Sequence, residues 1–409
     1  MTSSSSLISD WLRAMTASRS DFSTLLAAAE RDDAGGFEHT IREICQQPPT
    51  WTETASQLTA LGATFRESFY YCERIVLTGS GSSQYVGECA APDLQRHLRL
   101  PVVVSSGGEI LVSSSASASG EATLVVSLAR SGDSPESAAV VESLLATEPH
   151  TRHLIITCNP AGRLARSFAD NPRVRVVSLG DRVNDRSLVM TGSFTNLALS
   201  AGFLGWIDKG GEFLSRTSRL CDAGQRLLME WPDRLAAFVS GDIQRIVFLG
   251  HGCHFGAARE AALKMLEMTA GKVATMAETY LGLRHGPMSF IDDKTLLVCF
   301  LSSDPLTRSY ERDLILELDA KKLGARKLIA GVENPGAGLC KGDDLAIAYE
   351  TGRGMDDAGL ALLDVMIAQI LGFHRCREQG LRPDSPSEDG VISRVVGEFR
   401  IHSPAGVAK

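Results

Sequence analysis

No Cys-x-x-Cys pair occurs among the nine cysteines of this 409-residue chain, and their odd number and scatter argue against a disulfide framework. Buried, reduced thiols are the expectation. Basic charge is short as well: 41 Lys and Arg against 49 Asp and Glu leave a formal net charge of −8, which excludes broad binding to nucleic acid or to an anionic membrane. No segment offers about 18 uncharged apolar residues, the length a membrane-spanning helix needs. The start, "MTSSSSLISDWLRAMTASRSD", lacks the basic flank and apolar run of a secretory leader, so a cytoplasmic protein is expected. Neither the Gly-Lys-Ser of a Walker A loop nor the third spaced glycine of a dinucleotide fingerprint is found. What remains is ordinary globular composition, 44% hydrophobic and 22% charged, on a chain long enough for two domains.

The chain contains a repeat. "RIVLTGSGSSQYVG" at 74 to 87 is answered by "RIVFLGHGCHFGAA" at 245 to 258, each an apolar run, a glycine-x-glycine turn and small residues opening a helix. The register holds further on: "TLVVS" from 123 pairs with "TLLVC" from 295, "HLIITCNPAG" from 153 with "KLIAGVENPGAG" from 327, and "VRVVSL" from 174 with "LAIAYE" from 345. Four apolar runs recurring in order at a nearly constant offset mark duplicated units. Each unit reads as four strands alternating with helices, which predicts two tandem doubly wound α/β domains with parallel sheets. The predicted organisation is an N-terminal helical segment at 1–55, a first domain at 56–215, a second at 216–382 and a tail at 383–409. A polar helical link near 211–240 joins the halves.

Ligands of such sheets sit beyond the carboxyl ends of the strands, where glycine turns meet helix N-termini. Only the first unit carries hydroxyls there: "GSGSS" at 79–83 after one strand and "ARSGDSPES" at 129–137 after the next. Serine hydroxyls and free N–H groups at two adjacent helix starts make a phosphate cradle, to which Arg130 could add a charged fork. The same serines would serve as helix caps in any case. In the second unit "HGCH" at 251–254 stands at the matching turn. Three candidate ligands crowded within four residues of one turn, with no fourth nearby, do not make a zinc site, so no metal is expected. The substitution is read instead as divergence toward the reacting end of the ligand.

Glu260, Lys264 and Glu267 lie at i, i+4 and i+7, on one stripe of the helix after that second turn. Glu260 and Lys264 alone read as a surface ion pair. Glu267, among Leu263, Met265, Leu266 and Met268, reads as a partly desolvated carboxylate with raised proton affinity. His285 in "LRHGP" falls in a glycine- and proline-bounded loop.

The two serine-glycine turns, "ARE" with "LKMLE", and "RHGP" resemble the sugar isomerase (SIS) family of phosphosugar-binding domains, flavodoxin-like in fold, in its two-domain form. "EICQQPPTW", "ARSGDSPES", "DRSLVMTGSFT" and "EAALKMLEMTAGK" resemble most closely its galactosamine-6-phosphate deaminases and tagatose-6-phosphate ketose/aldose isomerases. The resemblance implies phosphate contacts at Ser82, Ser83, Ser131 and Ser134, with Arg130 where the glucosamine-6-phosphate synthase isomerase domain has glutamine. It implies a proton-shuttling role for Glu267 with Glu260 and Lys264 beside it, and ring opening by His285 across a subunit interface in a homodimer or higher homo-oligomer. The implied reaction is deaminating isomerisation of D-galactosamine 6-phosphate to D-tagatose 6-phosphate. With no glutaminase segment before Met1-Thr2, the nitrogen would leave as free ammonia. No cofactor is expected, because an amine and a positioned carboxylate suffice for a proton shift beside a carbonyl. Plain isomerisation of tagatose 6-phosphate and a non-catalytic phosphosugar sensor are the alternatives. The family's C-terminal lysine has no counterpart in "GVISRVVGEFRIHSPAGVAK".

Overall fold

The computed structural model describes residues 4–31, 35–69, 72–113, 122–352, 354–397 and 399–402. Its apolar runs form two five-stranded sheets, β2-β1-β3-β4-β5 and β10-β9-β8-β6-β7. The first sheet is built from β1 (Arg74–Gly79), β2 (Val102–Ser106), β3 (Thr123–Ala129), β4 (Arg152–Thr157) and β5 (Val174–Ser178). The second repeats it with β6 (Arg245–Leu249), β7 (Ala274–Glu278), β8 (Thr295–Phe300), β9 (Arg326–Gly331) and β10 (Leu345–Ala348). Every strand pair is parallel, and β3 and β8 are buried along their whole length. Central parallel strands covered by helices on both faces need unbroken apolar runs, which is why the repeat is visible in sequence.

Two strands per structure were not anticipated. β2 and β7 are half-buried edge strands; β7 (ATMAE) gives little apolar signal, and the three valines of β2 stand close after the Ser82–Leu98 helix. The stretch "TAGKVATMAETYLGL", between the Glu267 helix and His285, is tied to the second sheet: Ala274–Glu278 pairs with β6 and Tyr280–Leu283 is a short helix.

The two halves share one interior. The helix Ser82–Leu98, which follows β1, crosses the equivalent helix Cys253–Met268, which follows β6. At the crossing a Cβ on Gly256 would lie 2.5 Å from Cys89 N, so only glycine permits this approach. The helix Asp357–Glu378 runs through the core. It is long and apolar enough to cross a membrane by length, but 83% of its most apolar window is buried inside the protein. The N-terminal helices belong to the same body: Trp51 is fully buried with Nε1 donating to Thr195 Oγ1 at 2.9 Å, and Gln47 Nε2 donates to Gln369 Oε1 at 2.8 Å. All nine cysteines are free, Cys72 and Cys340 half-buried and the others buried.

Candidate active site

A cavity of about 480 Å³ lies beyond the carboxyl ends of β1 and β3, and residues from three parts of the chain line it. The turn after β1 supplies Ser80, Ser82 and Ser83; the turn after β3 supplies Arg130, Ser131 and Ser134. Gly81 and Gly132 hold φ at +57° and +66°, where a side chain would be strained, and so let the two helix starts turn their N–H groups to the cavity. Ser134 occupies the N-cap position of Pro135–Thr147 without making the capping bond, and its buried Oγ has no partner among the described residues. A buried hydroxyl left free at a helix N-terminus suits an anionic ligand better than a cap. The Ser80 hydroxyl bonds to Glu136.

Arg130 does something different from the expected fork. Its guanidinium is 8% exposed and donates to the carbonyls of Ser187 at 3.2 Å, Leu188 at 2.9 Å and Arg394 at 2.5 Å. It therefore braces the cavity wall and the C-terminal tail with three of its five N–H donors while it also lines the cavity.

From the second half come Leu263, Lys264 and Glu267, at the last turns of Cys253–Met268. Lys264 Nζ approaches Glu260 Oε1 at 3.4 Å and pairs more closely with Glu267. Lys264 and Glu260 are both completely buried, which overturns the surface-pair reading: this face of the helix meets the first domain and not solvent. Glu267 is partly desolvated, as expected, and Glu260 is the more deeply desolvated of the two carboxyl groups. Burial pushes Glu260 up to about 8 against the opposing pull of Lys264, whereas the Glu267 side chain keeps 22% of its exposure and fronts the cavity. Burial acts downward on the Lys264 ammonium, but Glu260 and Glu267 outweigh it and hold the pKa above the usual lysine value.

The "HGCH" turn does not reach this cavity, so the reading of it as the reacting end is corrected. His254 is buried between Asp364, 2.5 Å from Nδ1, and Asp357, 3.3 Å from Nε2; His251 Nδ1 lies 3.3 Å from Glu311. Asp357 and Glu311 accept the N–H groups of Ser303 and Ser302 at 2.7 Å and 2.9 Å. The chain's own carboxylates thus occupy the strand-end donors of the second sheet, and reactive groups reach the first cavity only from the far end of the helix. His285 is exposed and stands outside the cavity lining.

The tail was missed as part of the site. Val391 to Gly397 line the cavity, and Arg394 fixes them through Nε to Asp185 O at 2.8 Å and Nη2 to Asn184 Oδ1 at 2.8 Å. Beneath lies a second unforeseen group. Glu43, inside the quoted "EICQQPPTW", accepts from Arg186 N at 2.5 Å and Ser187 N at 3.3 Å, and burial followed by repulsion from Asp185 pushes it to about 7. Asp185 is fully buried and accepts Thr191 N and Ser193 N, each at 2.8 Å. Together they shape the segment that presents Leu188 and Met190 to the cavity. Two sequence signals could have pointed here: an acidic residue between Arg42 and the apolar Ile44–Cys45 at a helix end, and a polar "ND" before "RSLVMTGS".

The SIS domain family matches residues 68–176 and 242–374. The D-galactosamine-6-phosphate deaminase AgaS of Shewanella sp. (strain ANA-3) is 34% identical over 397 residues, covering 93% of this chain and 96% of that protein. The protein of that name from Escherichia coli is 33% identical over 371 residues, covering 89% and 95%. The crystal structure of tagatose-6-phosphate ketose/aldose isomerase from Escherichia coli is similar at a TM-score of 0.79 and 30% identity, over 90% of this chain and 97% of that one.

Proposed function

This chain belongs to the SIS domain family, and on that premise we propose that it converts D-galactosamine 6-phosphate to D-tagatose 6-phosphate and ammonia. The observation that carries the proposal is one cavity in which the serine turns of the first half meet the Lys264–Glu267 pair of the second. A phosphate needs hydroxyl and N–H donors gathered at helix starts, and the turns with Ser82, Ser83, Ser131 and Ser134 supply them. A proton shift along a carbon chain needs one carboxylate held near two adjacent carbons, and Glu267 fronts the same space.

In the open-chain sugar Glu267 takes the C2 proton as the C1 carbonyl oxygen takes up another, giving a 1-hydroxy enamine across C1 and C2, and Glu267 returns its proton to C1 while the amine nitrogen gives one up. The C2 amine is then an imine; water adds to it, the C–N bond breaks, and ketone and ammonia leave. Lys264 is the positioning residue for Glu267, and its ammonium offsets negative charge that develops on the sugar oxygens. Glu260, protonated when its pKa is near 8, can sit against Lys264 without drawing it from Glu267. Arg130 acts by holding the tail over the sugar.

The working unit is a cytoplasmic homodimer or larger homo-oligomer. An exposed His285 outside its own chain's cavity, close in sequence to the exposed Leu281, supports ring opening by a histidine supplied to a neighbouring subunit. The reaction is tested by measuring ammonia and ketose together over phosphorylated hexoses and hexosamines. Equal yields of both from galactosamine 6-phosphate are expected; turnover of tagatose 6-phosphate to an aldose with no ammonia from any hexosamine phosphate would replace deamination by plain isomerisation.

A further inference from the structure

Behind the cavity wall the chain from Asp185 to Thr191 is gripped on two sides. Arg130 takes the carbonyls of Ser187 and Leu188, and Arg394 takes that of Asp185. Opposite them stands Glu43, on the helix Glu38–Cys45, a buried carboxyl group that the chemistry proposed above does not use. Its two oxygens are held differently. Oε1 accepts the backbone N–H groups of Arg186 at 2.5 Å and Ser187 at 3.3 Å, and such groups can only donate. Oε2 meets the hydroxyls of Ser187 and, at 3.4 Å, Thr191, and a hydroxyl can donate or accept. A proton on Glu43 is therefore carried by Oε2 and points at Ser187. Ser187 Oγ has one hydrogen and two acceptors within reach, Glu43 Oε2 and, at 3.2 Å, Val189 O. Ionised Glu43 claims that hydrogen and leaves Val189 O without it. Protonated Glu43 donates to Ser187 Oγ instead and frees the hydrogen for Val189 O. Val189 lies between Leu188 and Met190, both in the cavity wall, and Met190 Sδ is 3.9 Å from the Ser83 hydroxyl of the phosphate cradle.

The charges around Glu43 bring this exchange near neutrality. Burial, followed by repulsion from Asp185 on the gripped segment, pushes Glu43 up to about 7, against the pull of its hydrogen bonds from Ser187 and Arg186. Arg130 approaches from the turn after β3 and Arg394 from the tail. The Cys158 thiol after β4 is held protonated by burial. On the helix of Glu43 itself Arg42 is turned to Glu30, and Asp384 caps the start through Thr40 N at 2.7 Å. The helices Gln47–Ala60 and Asp357–Glu378 bring the neutral amides of Gln47 and Gln369.

We infer that Glu43 is a positioning residue: its proton, relayed by the Ser187 hydroxyl to Val189 O, sets the Leu188–Met190 wall against the phosphate cradle, so that the cavity holds a phosphorylated sugar more tightly with Glu43 protonated than with Glu43 ionised. The effect on affinity rests on the reading of the cavity as a phosphosugar site; the exchange of hydrogen bonds does not.

The test titrates the full-length protein calorimetrically, on both sides of neutrality, with galactitol 6-phosphate, an open-chain analogue that has no carbonyl to react. The natural protein should lose about three- to tenfold in affinity as Glu43 ionises, the worth of one hydrogen bond. Glu43→Gln always presents an amide N–H to Ser187 and should keep the tighter affinity throughout, while Ser187→Ala breaks the relay and should be weak throughout. The ligand's own second ionisation, near about 6, moves all three alike. Infrared difference spectra of the ligand-free natural protein should show a protonated carboxyl band that disappears around pH 7, is missing from Glu43→Gln and shifts in frequency in Ser187→Ala, whereas the Glu260 band persists to higher pH. The same loss of affinity in Glu43→Gln as in the natural protein, or no carboxyl band titrating near neutrality, would overturn the relay, the second even where Glu43→Gln failed to fold. An analogue bound with no change across neutrality would overturn the effect on the wall alone; an analogue that does not bind at any pH would overturn it together with the phosphosugar reading of the cavity.

Discussion

Lys264 Nζ stands 3.4 Å from Glu260 Oε1 with neither side chain open to solvent, while its closer partner Glu267 faces the cavity. One ammonium therefore links a carboxylate shut in the interior to one that can touch a ligand. Removing the lysine leaves Glu267 without its counter-charge and the buried Glu260 carboxyl without the ammonium beside it. Lys264→Met should cost about 3–5 kcal/mol of stability, the range for breaking a buried pair, and abolish turnover. Adding Glu260→Leu should restore much of the stability without restoring activity. Denaturant unfolding of both variants, with ammonia release, checks this; a fully stable single variant would contradict it.

Glu260 also sets a pH dependence of stability. Its folded pKa, about 8, lies above the ordinary carboxylate value of 4.5. Below 4.5 both folded and unfolded chains hold the proton. As pH rises from 4.5 toward 8 only the unfolded chain releases it, so this group's contribution is lost over that window. Glu260→Gln cannot lose a proton, and its Tm relative to the natural protein should therefore climb between pH 5 and about 8. A Tm difference constant across that window would rule out the assignment.

The serine turns are tested by affinity. Ser83→Ala or Ser131→Ala should weaken phosphorylated sugars by about 1–3 kcal/mol per lost charge-assisted bond, leaving unphosphorylated analogues unaffected. Equal losses for both classes would mean that the serines only cap their helices.

The tail is held over the cavity by Arg394 and by Arg130 bonding to the Arg394 carbonyl. Arg394→Ala should raise KM more than it lowers kcat. It should also expose the 391–397 stretch to limited proteolysis, with a phosphosugar giving less protection than in the natural protein. An unchanged KM and cleavage pattern would show that the tail is no part of the site.

Sharing between subunits is tested by complementation. Glu267→Gln and His285→Ala chains, each inactive, should regain activity when mixed and allowed to exchange, since a mixed dimer has one intact site. No recovery after verified exchange would place glutamate and histidine in the same chain.

The repeat, the parallel sheets and the serine turns were legible in the sequence, because central strands and strand-end turns obey local rules: unbroken apolar runs, glycine at positive φ, small hydroxyl residues at helix starts. Edge strands β2 and β7 obey a weaker rule, since one side faces solvent, and they escaped notice. The i, i+4, i+7 stripe identified Glu260, Lys264 and Glu267, yet helical spacing says which residues share a face and not what covers it. The crossing of the two helices at Gly256 and Cys89 decides that Lys264 and Glu260 are interior, and burial then raises the proton affinity of Glu260. Arg130 was recognisable as a cation near the second serine turn. Only the return of the tail, more than 260 residues later in the chain, supplies the carbonyl of Arg394 that claims one of its donors. Sequence determined the elements and their chemistry, because those depend on near neighbours; contacts between distant segments determined desolvation and hydrogen-bond partners, on which proton affinity and role depend.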